Sequence, residues 1–200
     1  MKTIIFFSLA FILCIFKANS APGPVLDAGG KPLRSGVEYY ATLTDIAGFD
    51  SSSILRAPVG NKTCPAGAVE YQTGGEGQTF IITPVDPKMG VIRLSTDVNI
   101  KFSGPVTRCH ESNVWKLQYY KATKQYVVMM GGVEGNPGPE TLNNWFKIEK
   151  AVDDYNREAY KFVYCPSVCS SCKVMCKDIG TYHRNLVLGG DPLFFNFFYA

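Results

Sequence analysis

Histidine is scarce in this chain: among 200 residues only His110 and His183 occur. Neither sits in a nucleophile motif, and no G-x-S-x-G elbow or H-E-x-x-H helix is present. Those absences remove the common hydrolase constellations, so no enzymatic activity and no cofactor are expected. Both histidines read as loop or strand-end residues. Charge is thin as well: charged residues are 18% of the chain, below the roughly 25% of an average soluble domain. The formal net charge is only +3, which gives no electrostatic case for nucleic acid or an anionic membrane as partner. Helical periodicity is nearly missing; the best stretch, residues 152–161, is only weakly amphipathic. Beyond residue 20 no apolar run approaches the ~20 residues that a spanning helix needs.

What is present begins with an apolar run. Lys2 supplies a positive charge, residues 4–16 are apolar apart from Ser8, and Ala18-Asn19-Ser20 places small residues at a cleavage position. The pattern predicts a signal peptide over residues 1–20 and one mature domain over residues 21–200, carried by the secretory route. Cleavage removes Lys2, Lys17 and Cys14. It leaves 18 basic against 17 acidic residues, a net +1, and six of the seven cysteines.

Four of those six fall within twelve residues, as Cys165-x3-Cys169-x2-Cys172-x3-Cys176. In a reducing cytosol such a cluster suits zinc; in an oxidising compartment it suits disulfides. The pairs stand too close for two independent zinc knuckles, and the signal peptide favours disulfides. Six cysteines allow fifteen connectivities, and spacing alone does not choose among them. Asn61-Lys62-Thr63, the one N-x-S/T sequon of the mature chain, makes Asn61 an expected glycosylation site.

Short segments rich in Val, Ile, Tyr, Phe and Thr, bounded by turn residues, predict about a dozen strands. They lie at 39–44, 69–71, 80–83, 91–94, 98–102, 114–120, 126–130, 145–149, 159–164, 179–183, 186–188 and 194–198. Residues 98–102 alternate apolar and polar strictly, so one face is buried. That many strands without helices indicates a barrel or sandwich. Val114-Trp115-Lys116-Leu117 and Trp145-Phe146-Lys147-Ile148 suggest an internal repeat, hence pseudo-symmetry.

Specific blocks carry a resemblance. Val25-Leu26-Asp27-Ala28-Gly29-Gly30-Lys31-Pro32-Leu33, with Gly36 and Tyr39-Tyr40, resembles the N-terminal signature of the soybean Kunitz-type trypsin inhibitor family. Residues 143–149 and 162–166 resemble later blocks. Residues 95–100 and 131–141, with the four-cysteine run, resemble its miraculin-like branch. The resemblance covers essentially the whole mature chain. It implies an all-β trefoil of about twelve strands in three pseudo-symmetric units. It also implies the pairings Cys64–Cys109, Cys165–Cys176 and Cys169–Cys172. The first closes a ring of about 46 residues, worth roughly 4 kcal/mol in the chain-entropy model.

The segment Thr83-Pro84-Val85-Asp86-Pro87-Lys88-Met89-Gly90 lies between two predicted strands. Its two prolines fix their own φ angles and bias Thr83 and Asp86 toward extended backbone, so a stiff, substrate-like loop is expected. Lys88 has the chemistry for a trypsin-like specificity pocket, where a buried Asp selects cations. The scissile bond is then Lys88–Met89, and a one-residue shift puts Pro87 at the specificity position. The resemblance implies a reactive residue in this connection. It also places Ser35 where inhibitory relatives carry a loop-bracing Asn. The implied function is a secreted or vacuolar plant defence protein that inhibits trypsin-like serine proteases and is expected to be a monomer. The alternative is a non-inhibitory miraculin-like trefoil with a storage or stress-response role.

Overall fold

Burial with a period of two organises the chain. Tyr39, Ala41 and Leu43 are buried while their neighbours are not, and Phe80, Ile82 and Pro84 repeat the pattern. A computed structural model describes residues 21–43, 52–60, 63–72, 77–106 and 109–200. Among these are thirteen strands. They are β1 (Glu38–Leu43), β2 (Ser52–Pro58), β3 (Ala66–Gln72), β4 (Phe80–Pro84), β5 (Val98–Phe102), β6 (Lys116–Tyr120) and β7 (Gln125–Met129). The rest are β8 (Lys147–Val152), β9 (Glu158–Tyr164), β10 (Lys177–Tyr182), β11 (Asn185–Leu188), the two-residue β12 (Asp191–Pro192) and β13 (Phe195–Tyr199).

Six strands close a barrel. β1 pairs with β4, β4 with β5, β8 with β9, β9 with β13, and β13 returns to β1. The β5–β8 junction is a single bridge, Val98 to Phe146, just before β8. The hairpins β2–β3, β6–β7 and β10–β11 meet one another through β3–β7, β7–β11 and β11–β3 pairings. A six-stranded barrel capped by three hairpins is the β-trefoil, as the sequence led one to expect.

Aromatic side chains fill the barrel. Trp115, Phe80, Phe146, Phe162, Phe195 and Phe197 have no exposed surface. Phe162 meets Phe195 at 4.3 Å and Trp115 at 5.2 Å between ring centroids, the latter within the range of favourable aromatic pairs. The internal repeat is structural. The Trp115 N–H donates to Ile100 O at 2.8 Å and the Phe146 N–H to Val98 O at 2.9 Å. Each aromatic is followed by a lysine that opens a strand, Lys116 in β6 and Lys147 in β8.

Two expectations are revised. Residues 152–161 are not helical but span the β8–β9 hairpin. The Asp153 carboxylate accepts hydrogen bonds from the N–H groups of Tyr155 (3.0 Å) and Arg157 (2.9 Å), and Asn156 adopts φ 61°. That Asx-type turn outweighs a weak helical stripe. Residues 91–94 form no strand; Val91 and Arg93 make isolated bridges to Arg34 and Pro24. The sequence signals also passed over β2, β12 and a 3₁₀ helix at Pro139–Asn144 that begins with proline. The expected signal peptide, residues 1–20, and Asn61 lie outside the described residues. No helix among the described residues is long and apolar enough to cross a membrane.

Candidate functional site

The connection between β4 and β5 carries the residues singled out from the sequence. β4 ends at Pro84, which is buried, and Val85 donates its N–H to Asp97 O (2.8 Å). Beyond this anchor Asp86, Pro87 and Lys88 are exposed and Met89 is half-buried. The Lys88 ammonium meets no carboxylate among the described residues.

The loop's backbone differs from the expected extended form. Met89 donates its N–H to Asp86 O (3.0 Å), closing a β-turn over Pro87 and Lys88. The Asp86 carboxylate also accepts the Lys88 N–H at 3.0 Å. Aspartate at the first position and proline at the second are what a type I turn prefers. The aspartate before Pro87 folds the segment onto itself.

Ser35 lies beside the returning limb. Its N–H donates to Gly90 O at 3.2 Å, while its hydroxyl makes no hydrogen bond among the described residues. Ser35 therefore supports the loop through its backbone rather than its side chain. The flanking segment adds Ile92 N–H to Leu33 O (2.9 Å), Val25 N–H to Ile92 O (2.9 Å) and Leu94 N–H to Gly23 O (2.9 Å). The N-terminal stretch thus lies alongside the limb and fixes its course.

Two acidic residues that the sequence reading left without a role hold the base of the loop. Glu134 accepts a hydrogen bond from Thr83 Oγ1 (2.6 Å) and pairs with Lys101 Nζ (2.7 Å). Burial pushes its carboxyl up, but the hydrogen bonds from Lys101 and Thr83 and the Lys101 charge outweigh this and hold it below the usual glutamate range. Asp97, 5% exposed, accepts the Ser167 N–H (3.1 Å) and Ser167 Oγ–H (2.5 Å), with Lys147 Nζ 3.9 Å away. It thereby ties the Lys88 loop to the start of the cysteine cluster. Both acids lie in blocks that carried the family resemblance, which was the one available signal.

The cysteines pair as Cys64–Cys109, Cys165–Cys176 and Cys169–Cys172, with sequence separations of 45, 11 and 3. The clustered sulfurs are therefore bonded to one another and present no thiolate for zinc. Among the described residues no group of three or more His, Cys, Asp or Glu is placed to hold a metal ion. His110 and His183 sit in left-handed turn conformations, at φ 56° and 48°, on the surface.

Comparison with known proteins gives a consistent result. A model of the legume Kunitz family, described as trypsin and protease inhibitor, matches residues 25–198. Miraculin of Synsepalum dulcificum is 43% identical over 190 residues, covering 90% of this chain and 84% of miraculin. Kunitz trypsin inhibitor 5 of Arabidopsis thaliana is 38% identical over 181 residues, covering 88% of this chain and 85% of its own. A Kunitz-type cysteine protease inhibitor from potato has a similar solved structure, with a TM-score of 0.73 and 32% identity. That match covers 90% of this chain and 98% of the potato protein.

Proposed function

The chain belongs to the Kunitz family of trypsin and protease inhibitors, and on that premise we propose that it inhibits a trypsin-like serine protease through the loop bearing Lys88. The observation that carries this reading is an exposed lysine, unpaired among the described residues, on a loop anchored at both ends. Lys88 enters the acidic specificity pocket, Lys88–Met89 is the bond presented for attack, and Pro87 precedes it. Neither a cofactor nor catalysis by this chain is involved. The chain acts as a monomer after removal of residues 1–20, carries a glycan at Asn61, and resides in the vacuole or outside the cell.

The closed turn sets a cost on binding. A protease cleft receives its substrate as an extended strand, so the two hydrogen bonds to Asp86 must open. At about 1 kcal/mol net for each, that costs roughly 2 kcal/mol of affinity. The same turn, with a Ser35 hydroxyl that makes no hydrogen bond among the described residues, favours a second reading: a trefoil without strong inhibition, in a storage or stress-response role.

Titration of trypsin with the mature protein and with Lys88→Ala separates the two. Loss of inhibition in the variant supports the first reading. Equal potency removes Lys88 from the mechanism, and an inert wild type supports the second.

A further inference from the structure

Residues 172–176 present a second lysine in a different setting. Cys172 is bonded to Cys169 and Cys176 to Cys165, so the three residues between them are fastened covalently at both ends. Lys173 is exposed, Val174 rests against the core, and Met175 is 44% exposed. No turn or bend interrupts residues 173–176, and none of them has a positive φ. The backbone groups of Lys173, Val174 and Met175 make no hydrogen bond among the described residues. The stretch then runs directly into β10 at Lys177. It is an open, extended edge beside a cationic side chain.

An extended segment with free main-chain groups is what a protease cleft recognises, by adding it as a strand. A lysine in that segment selects a specificity pocket with a buried carboxylate. We infer that Lys173–Val174 is a second reactive bond, taken by a trypsin-like serine protease independently of Lys88.

The disulfides explain why this bond inhibits rather than feeds the protease. Hydrolysis adds one water across the amide, leaving a Lys173 carboxylate and a Val174 amine. Lys173 adjoins Cys172 and stays bonded to residue 169; Val174 lies two residues before Cys176 and stays bonded to residue 165. The Val174 side chain also keeps its seat on the core. Both new ends remain in place, at a high effective concentration for resynthesis, and the enzyme is released slowly. The base of the cluster is fixed as well, because Ser167 is held by Asp97.

The test uses the mature, fully oxidised protein and the variants Lys88→Ala, Lys173→Ala and the double replacement, titrated against trypsin. Lys88→Ala is expected to keep a saturable inhibition, which the added Lys173→Ala weakens by about 30-fold or more, the effect of losing a hot-spot contact. Lys173→Arg should restore it. Trace trypsin at mildly acidic pH should nick Lys173–Val174 to a plateau, read by mass spectrometry after reduction, rather than to completion. Complete cleavage without inhibition would mark a plain substrate site and overturn the inference. So would a Lys88→Ala variant with no inhibition, or a double variant equal to Lys88→Ala. If wild type inhibits and Lys88→Ala does not, the Lys88 reading survives alone. If only Lys173→Ala matters, the second site stands and the first falls.

Discussion

Lys88 and Lys173 are both exposed lysines inside disulfide-closed rings, yet their backbones are prepared in opposite ways. Around Lys88 the ring is wide, with its cysteines 45 positions apart, and local side-chain chemistry decides the conformation. Asp86 and Pro87 close a turn there. Around Lys173 the rings are narrow, with separations of 11 and 3, and the chain between the cysteines is held open. The difference teaches that a cross-link governs a loop only over a short reach. Beyond that reach aspartate, proline and neighbouring strands take over.

The largest expected effect comes from opening the wide ring. Replacing Cys64 and Cys109 by serine should lower unfolding free energy by about 4 kcal/mol, against about 2 kcal/mol for the Cys169–Cys172 pair. Denaturant titration of both double variants reads the two values directly. Equal losses would break the contrast between wide and narrow rings.

Asp97 joins the two regions, so its replacement by alanine should affect both. It leaves the Ser167 N–H and Lys147 without their buried partner, at about 3 kcal/mol. Hydrogen exchange should rise at Val85 and at Ser167 together. A rise at only one of them would show the loops to be independent.

Asp86→Ala sharpens the comparison further. It removes the carboxylate that holds the Lys88 N–H in the turn. Freed of about 1 kcal/mol of closure, the loop should inhibit trypsin about fivefold more tightly when read in the Lys173→Ala background. Weaker inhibition would mean that the turn itself is the form a protease binds.

The smallest effect is a pH dependence at the base of the Lys88 loop. The Glu134 carboxyl is held below its ordinary value of 4.5 in the folded chain, so it binds fewer protons there than when unfolded. Its stabilisation is therefore complete above that value and disappears as pH falls through the lower, folded value. Acidification should loosen Thr83, followed as amide exchange, and Glu134→Gln should flatten the profile. The 173–175 segment has no ion pair among the described residues and should show no such change.

Much of this molecule was legible before any coordinates. Residues 98–102 form β5 as their alternation required, and the Trp115 and Phe146 blocks occupy matching places in the fold. What escaped detection did so for physical reasons. β2 opens with Ser52 and Ser53, whose buried hydroxyl side chains carry no strand signal. The 152–161 hairpin depends on one carboxylate capping its own turn, a local bond that hydrophobic pattern cannot register. At the candidate site the sequence marked Lys88, Met89, Pro87 and Ser35. It did not reveal that Asp86 would fold the loop, because the prolines alone favoured extension. Nor did it reveal Glu134 or Asp97, whose partners are 51 and 70 positions away along the chain.

The pairing of β1 with β13 has a consequence for biogenesis. Tyr39 lies opposite Tyr199, so the first barrel strand waits for a partner far along the chain. Until Phe195–Tyr199 emerges from the ribosome, β1 and β9 present bare edges, and such edges invite pairing with other chains. This barrel can therefore shut only once β13 has been made.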